Sequence, residues 1–218
     1  MSSEVDICNL ALSHLGDEAG VASIAPPDGS AQAAHCGRFY PMARDAVLEA
    51  HPWPFAVKRV PLAEVDNPAP EDWGYAYALP STCLRPLTAL LPGVPPRQFG
   101  TETDNDSFPY VVETGADGGL VLYTNVQTAV LRFIDRVTDT TKYTPSAVLA
   151  ISRLLAAYLA GPILKGDKGT KVAADQLQIF QAELRQAAKL AANVGRRDTY
   201  QTRVPSFIAA RGGLVQPR

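Results

Sequence analysis

The 218-residue chain is short of charge, of cysteine and of any ready-made catalytic signature, and each shortage narrows what it can be. Charged residues make up only 19%, and 20 basic against 22 acidic side chains leave a net charge of −2. A chain that grips nucleic acid through bulk charge is strongly basic, so this total does not advertise that role. Three cysteines, Cys8, Cys36 and Cys83, are an odd number at wide, irregular spacing. They argue against a secreted disulfide framework and for synthesis in a reducing compartment. The opening residues carry neither the basic n-region nor the apolar h-region of a signal peptide, so none is expected. No Gly-rich phosphate loop, nucleophile elbow, paired-Cys metal motif or His-Glu-x-x-His helix occurs.

What is present is organised around residues 146–164, an apolar run whose only charge is Arg153. A helix that is apolar nearly all round belongs inside a bundle or in a bilayer. Arg153 at its middle, the Gly161-Pro162 break and the charges of Lys165, Asp167 and Lys168 just beyond favour a buried helix over a membrane span.

Before it, Glu4 to Leu15 reads as a helix with Ser3 as N-cap and Val5, Cys8, Leu12 and Leu15 on its apolar face. A second helix is expected over 30–50, with Ala34, Phe39, Met42, Ala46 and Leu48 as its stripe and a kink at Pro41. Prolines flank Trp53 in His51-Pro52-Trp53-Pro54-Phe55-Ala56 and forbid a helix there, so Trp53 and Phe55 are expected to anchor a turn into the core. Trp73 and Tyr77 play the same part in the aromatic run 72–80. Short strands are expected at 57–65, 83–91, 97–99, 110–113, 120–123 and 129–137, split by Gly, Pro, Asn and Asp. The last of these alternates imperfectly. After a tight turn at 165–169, a helix over 170–193 carries the seam Ala173, Leu177, Phe180, Leu184, Ala187, Ala191, suited to pairing with 146–164.

The fold class is therefore α+β. Residues 1–82 and 139–193 are expected to form a helical bundle, made of N-terminal helices and a long C-terminal helical hairpin, with Arg153 as a structural anchor. Residues 83–138 form a small β-rich insertion, and 194–218 an extended C-terminal arm. The arm holds five arginines against one aspartate, net +4, and leaves the first 193 residues at −6.

Candidate chemistry is sparse. His14, His35, Cys36 and Cys8 match no zinc spacing and read as core packing. His51 has no nucleophile beside it in sequence and reads as a helix-ending residue near the negative end of the dipole. Glu102, Asp104, Asn105 and Asp106 lack the glycine and terminal glutamate of a calcium loop. Carboxylate pairs such as Asp17-Glu18 or Glu71-Asp72 are expected by chance among 22 acids. No catalytic residue, metal or cofactor is expected. The arm carries the functional signal: Arg196, Arg197, Arg203 and Arg211 interleaved with Tyr200, Phe207 and Ile208 suit docking into a partner groove. DNA binding through the same arginines is the rival, opposed by the acidic body.

Five stretches in order resemble one family. They are Asp6-Ile7-Cys8-Asn9-Leu10-Ala11-Leu12-Ser13-His14-Leu15-Gly16; Tyr40 with Ala43-Arg44-Asp45, Leu48 and His51-Pro52-Trp53-Pro54-Phe55-Ala56; Trp73-Gly74-Tyr75-Ala76-Tyr77-Ala78-Leu79-Pro80 with Cys83-Leu84-Arg85; Arg132-Phe133-Ile134-Asp135-Arg136-Val137-Thr138-Asp139; and the helix from Val148 to Pro162. Across residues 5–190 the chain resembles the head-to-tail adaptors of short-tailed bacteriophages, the tail tubular protein A-like, portal-attached tail accessory factors. The resemblance implies a structural virion protein, made in the host cytoplasm, that forms a dodecameric homo-oligomeric ring between portal and tail nozzle. Genomic DNA passes through such a ring without specific binding, no membrane is involved, and the C-terminal segment docks on the portal. One branch of the family is described as hydrolysing peptidoglycan, and no residue of this chain carries that activity over. A virion-associated peptidoglycan hydrolase and a DNA-binding packaging accessory protein are the alternatives.

Overall fold

Capping side chains set where the helices begin. The computed structural model describes residues 2–92, 108–115 and 118–194; the expected strand at 97–99, the acidic loop at 102–106 and the arm residues Arg196, Arg197, Tyr200, Arg203, Phe207, Ile208 and Arg211 lie outside them. Ser3 opens α1 (Glu4–His14) through a capping box: its Oγ accepts from the Asp6 amide and Asp6 accepts from the Ser3 amide. Each reciprocal bond satisfies a backbone donor that the helix itself leaves open. Ser30 caps α2 (Ala31–Ala50), and Thr144 caps α3 (Pro145–Leu164), where Pro145 fills the first-turn position that needs no amide hydrogen. α4 (Gly166–Val194) follows at once.

Among the described residues, seven strands complete a mixed α+β fold: β1 (Val57–Pro61), β2 (Ala63–Val65), β3 (Tyr75–Ala78), β4 (Cys83–Leu90), β5 (Tyr110–Thr114), β6 (Leu120–Thr124) and β7 (Val130–Asp135). They make two antiparallel sheets, ordered β1-β7-β4 and β2-β3-β6-β5. The strand expected at 57–65 is two strands in two sheets. Pro61 has no amide to continue the ladder with β7, and Leu62, whose amide bonds the Ala129 carbonyl, carries the chain across. β1 thus pairs with β7 and β3 with β6, with β2 at the edge beside β3, so strands that precede residue 83 share sheets with strands that follow it.

The apolar side chains fall into two clusters. One joins α1, α2, α3 and α4 with Trp53, Ala56, Ile134 and Val137; the other holds Tyr77, Leu122, Val126, Ala129, Leu131 and Phe133, with β-strand residues such as Val60, Tyr110 and Val112 packed on it. β7 contributes to both: Leu131 and Phe133 point into the strand cluster and Ile134 into the helical one. That double duty explains its imperfect alternation, since a strand with one wet face would show polar residues at every second position.

α3 packs against α1, α2 and α4, which accounts for its apolar sequence; Ala147, Ala150, Ile151, Leu155, Ala156, Leu159 and Ala160 are fully buried. By length and composition it is also the one helix among the described residues apolar enough to cross a membrane. The expected stripes hold in part: Leu48 on α2 and Phe180 and Ala187 on α4 are buried, with Phe39, Ala46, Ala173 and Leu184 packed against the core, and the departures are at single positions. α2 buries Ala33, Cys36, Tyr40, Ala43 and Val47, while Ala34 and Met42 face outward. The buried set keeps helical 3-4 spacing, and its small alanines let helices approach closely. On α4, Leu177 is 41% exposed and Gln176 takes its place inside. The side chain of Ala191 is outside the described set.

Only Lys165 links α3 to α4, not the five-residue turn expected, and it takes a φ of 55°. Gly169 then lies against α3 so closely that a β-carbon there would sit 2.9 Å from the Ala160 carbonyl oxygen. Glycine costs a helix about 1 kcal/mol relative to alanine, so on propensity alone Gly169→Ala would stabilise. The clash is with backbone, which cannot swing aside, and it decides the sign. Gly169→Ala is expected to lower unfolding free energy by about 1–3 kcal/mol in urea denaturation; a gain would show that the helices separate there at little cost.

Candidate functional site

The chemistry-bearing side chains gather in three places. The first joins α1, α3 and α4. Ser152, on α3, donates to the Leu149 carbonyl at 2.9 Å and lies 3.2 Å from His14 Nε2. The hydroxyl thus bridges a helix carbonyl and the imidazole. Arg153 Nη1 donates to Gln176 Oε1 at 3.1 Å, and Gln176 Nε2 donates to the His14 carbonyl at 3.2 Å. Gln176 therefore satisfies a guanidinium N–H and a helix-end carbonyl together, which is why it displaces Leu177 from the seam. The Arg153 Nε is buried without a hydrogen-bond partner.

Burial, reinforced by the charge of Arg153, holds the His14 pKa down at about 4. The cluster resembles a Ser-His pair, but Ser152 is fully buried and its hydroxyl also bonds the Leu149 carbonyl of its own helix. This geometry does not activate the hydroxyl. It does tie stability to acid. The unfolded chain protonates histidine near pH 6.5 and the fold resists until about pH 4, so stability is complete above 6.5 and declines as pH falls through that window. The loss attributable to His14 is expected to be about 1–3 kcal/mol, and urea midpoints of His14→Gln at pH 7 and pH 5 should differ less than those of the wild type. His51, also shifted down by burial and by Arg85, contributes the residual slope.

The second place is a charged junction between helices and strands. Asp45 on α2 accepts from Arg44 Nε at 2.8 Å and from Arg136 Nε, just after β7, at 2.9 Å. Lys58 pairs with the buried Asp135 at 2.6 Å, cross-linking β1 to the end of β7. Cys83 stands opposite Asp135 in register; burial and that carboxylate push its thiol up to about 11, so it stays protonated at neutral pH and is a poor nucleophile. In the third place, Cys8 on α1 and Cys36 on α2 are both fully buried in the helical apolar cluster.

Trp53 is 2% exposed and its indole N–H donates to the Val47 carbonyl at 2.9 Å. Phe55 packs on the helical cluster, and the Tyr77 hydroxyl donates to the Val126 carbonyl at 2.8 Å inside the strand cluster. Trp73 is half-buried and belongs to neither cluster, so it anchors less than its size suggests. Among the described residues no group of three or more His, Cys, Asp or Glu is placed to hold a metal ion.

The outer surface carries its own pattern. His35 stacks on Phe39, which meets Tyr158 of α3 at 6.3 Å between ring centres, with Met42 exposed on α2. Leu177, Ile179 and Leu190 are exposed on α4. None of this had a local sequence signal, because contacts such as His14 to Ser152 and Gln176 to His14 bring together residues far apart in the chain. Compared with known proteins, the chain matches no family model and no curated sequence.

Proposed function

We propose that the chain is a structural virion protein, a ring-forming head-to-tail adaptor that joins the portal of a short-tailed bacteriophage to its tail nozzle. The observation that carries this reading is the ordered set of five sequence stretches spanning residues 5–190. Those stretches hold residues with clear structural duties: Cys8 and Leu12 in α1, Trp53 and Ala56, Tyr77, the pair Phe133-Ile134, and the buried face of α3. The likeness therefore concerns the scaffold, and the role follows from it by analogy. In this reading the four helices make one bundle with α3 and α4 as its long hairpin, the strands form an insertion, and residues 194–218 are an arm that orders on the portal. A net charge of −6 before the arm gives DNA passing through the ring a wall it does not grip.

The test is sedimentation of the full chain with the portal from the same genome, beside a version ending at Asn193. The full chain is expected to join the portal as a ring and the shortened one to lose at least about tenfold in affinity, since arginine and aromatic anchors dominate such contacts. Equal binding by both removes the arm from the contact. Binding by neither removes the adaptor reading, and salt-dependent retention on DNA, lost with the arm, would replace it with the packaging role.

A further inference from the structure

The two sheets end in different kinds of edge. The outer strands of the three-stranded sheet carry Lys58, Arg59 and Pro61 on β1, and Arg85 and Pro86 with two shifts of register on β4. Charges, prolines and bulges of this kind keep an edge from pairing with another chain. The outer strands of the four-stranded sheet, β2 and β5, hold no lysine, arginine or proline. Among the described residues β2 pairs only with β3, and β5 only with β6.

The register lines up an apolar row along these open edges. Val65, Ala76, Tyr123 and Val111 lie side by side across all four strands and share one face of the sheet. Ala76 and Tyr123 in the middle are buried, whereas the valines at the two ends are 36% and 38% exposed. The row therefore runs off both edges. Because the sheet has four antiparallel strands, β2 and β5 run in opposite directions. A second copy in the same orientation brings its β2 antiparallel to β5. The three-stranded sheet has an odd count, so its two edges run the same way and offer only a parallel joint.

We propose that β5 of one copy pairs antiparallel with β2 of the next, continuing the four-stranded sheet from subunit to subunit. This joint is the lateral contact of the proposed ring and depends on that reading. With Val111 opposite Val65 of the next copy, Val112 falls opposite Glu64 and Glu113 opposite Ala63. Valine meets valine in the exposed row, and no two glutamates oppose each other. Main-chain hydrogen bonds supply the attraction, as in other strand additions. One edge meets a different edge, a heterologous contact that closes into a ring where an isologous one would stop at a dimer. β2 has only three residues, so a single joint is weak. Closure of the ring makes the last joint intramolecular and strengthens the whole.

The test uses the full chain carrying Val65→Cys, Val111→Cys and Cys83→Ser, assembled on the portal from the same genome and oxidised with diamide. Directly opposed residues have Cα atoms about 4.5–5.5 Å apart, within disulfide reach. Non-reducing electrophoresis is expected to show a ladder of linked subunits that dithiothreitol collapses. Neither single cysteine variant should link, and an equal mixture of the two should give dimers alone. Val111→Lys should weaken ring formation at least about tenfold while keeping the wild-type thermal midpoint, and adding Val65→Glu should restore the ring. A ring that sediments with the portal but gives no ladder would overturn this joint and leave the ring standing. Dimers from one single variant would replace it with pairing of like edges. Failure of the wild-type chain to form any ring would remove the ring reading and the joint with it.

Discussion

Replacing Phe133 by alanine is expected to lower unfolding free energy by about 3–5 kcal/mol, and replacing its neighbour Ile134 by about 2–5 kcal/mol, with the damage falling in different places. Phe133 is 1% exposed among Tyr77, Leu122 and Leu131, whereas Ile134 is fully buried in the cluster that holds the helices. Each truncation removes apolar area from water-free surroundings and leaves a cavity that close-packed neighbours fill only in part. Amide exchange distinguishes them. Phe133→Ala should first lose protection in β3 and β6, and Ile134→Ala in α1 and α3. Identical exchange patterns would mean that the two clusters act as one and that the division has no energetic meaning.

Trp53→Ala is expected to cost a further and comparable amount, about 3–5 kcal/mol. Trp53 does two jobs in one side chain. Its ring packs edge-on against His51 at 4.9 Å and stacks near Phe55 at 6.0 Å, and its N–H occupies the Val47 carbonyl near the end of α2. Trp53→Phe separates the jobs by keeping most of the ring and dropping the donor. It should cost about 1–3 kcal/mol, the penalty for a buried carbonyl left without a partner. Urea denaturation with an unchanged slope would report both losses. A Trp53→Ala effect below about 1 kcal/mol would mean that the turn closes without its tryptophan.

Much of this architecture is legible in the chain, and the failures have physical causes. Ser3 and Ser30 mark helix starts because capping is local chemistry. Residues 146–164 announce a buried helix because a segment apolar on every side, with an arginine at its middle, must be wrapped by protein. The strand at 57–65 reads as one element because β-propensity does not register which partner each half takes; only Ala129 and β7, some 70 residues on, divide it at Leu62. The seam on α4 reads through Leu177 because the pattern rewards apolar residues, while the fold prefers Gln176 for its bonds to Arg153 and His14. The same blindness hides the site chemistry. Cys8 and Cys36 stand out as residues, but their burial in one cluster depends on how α1 and α2 pack. The arm stands out by charge, and the described fold ends before it.

The position of β7 has a consequence for the order of events on the ribosome. β1 finishes at Pro61 but its hydrogen-bonded partner is not made until Val130–Asp135, and α1 and α2 pack mainly on a helix that ends at Leu164. At about 5–20 residues per second, the first half of the chain spends several seconds with its sticky faces uncovered. Ile7, Leu12, Val47 and Trp53 are then open to any passing hydrophobic surface, and crowded neighbours making the same chain offer the most dangerous one. Nascent chains halted near residue 130 should be strong clients of holding chaperones, and those halted some forty residues later should be released.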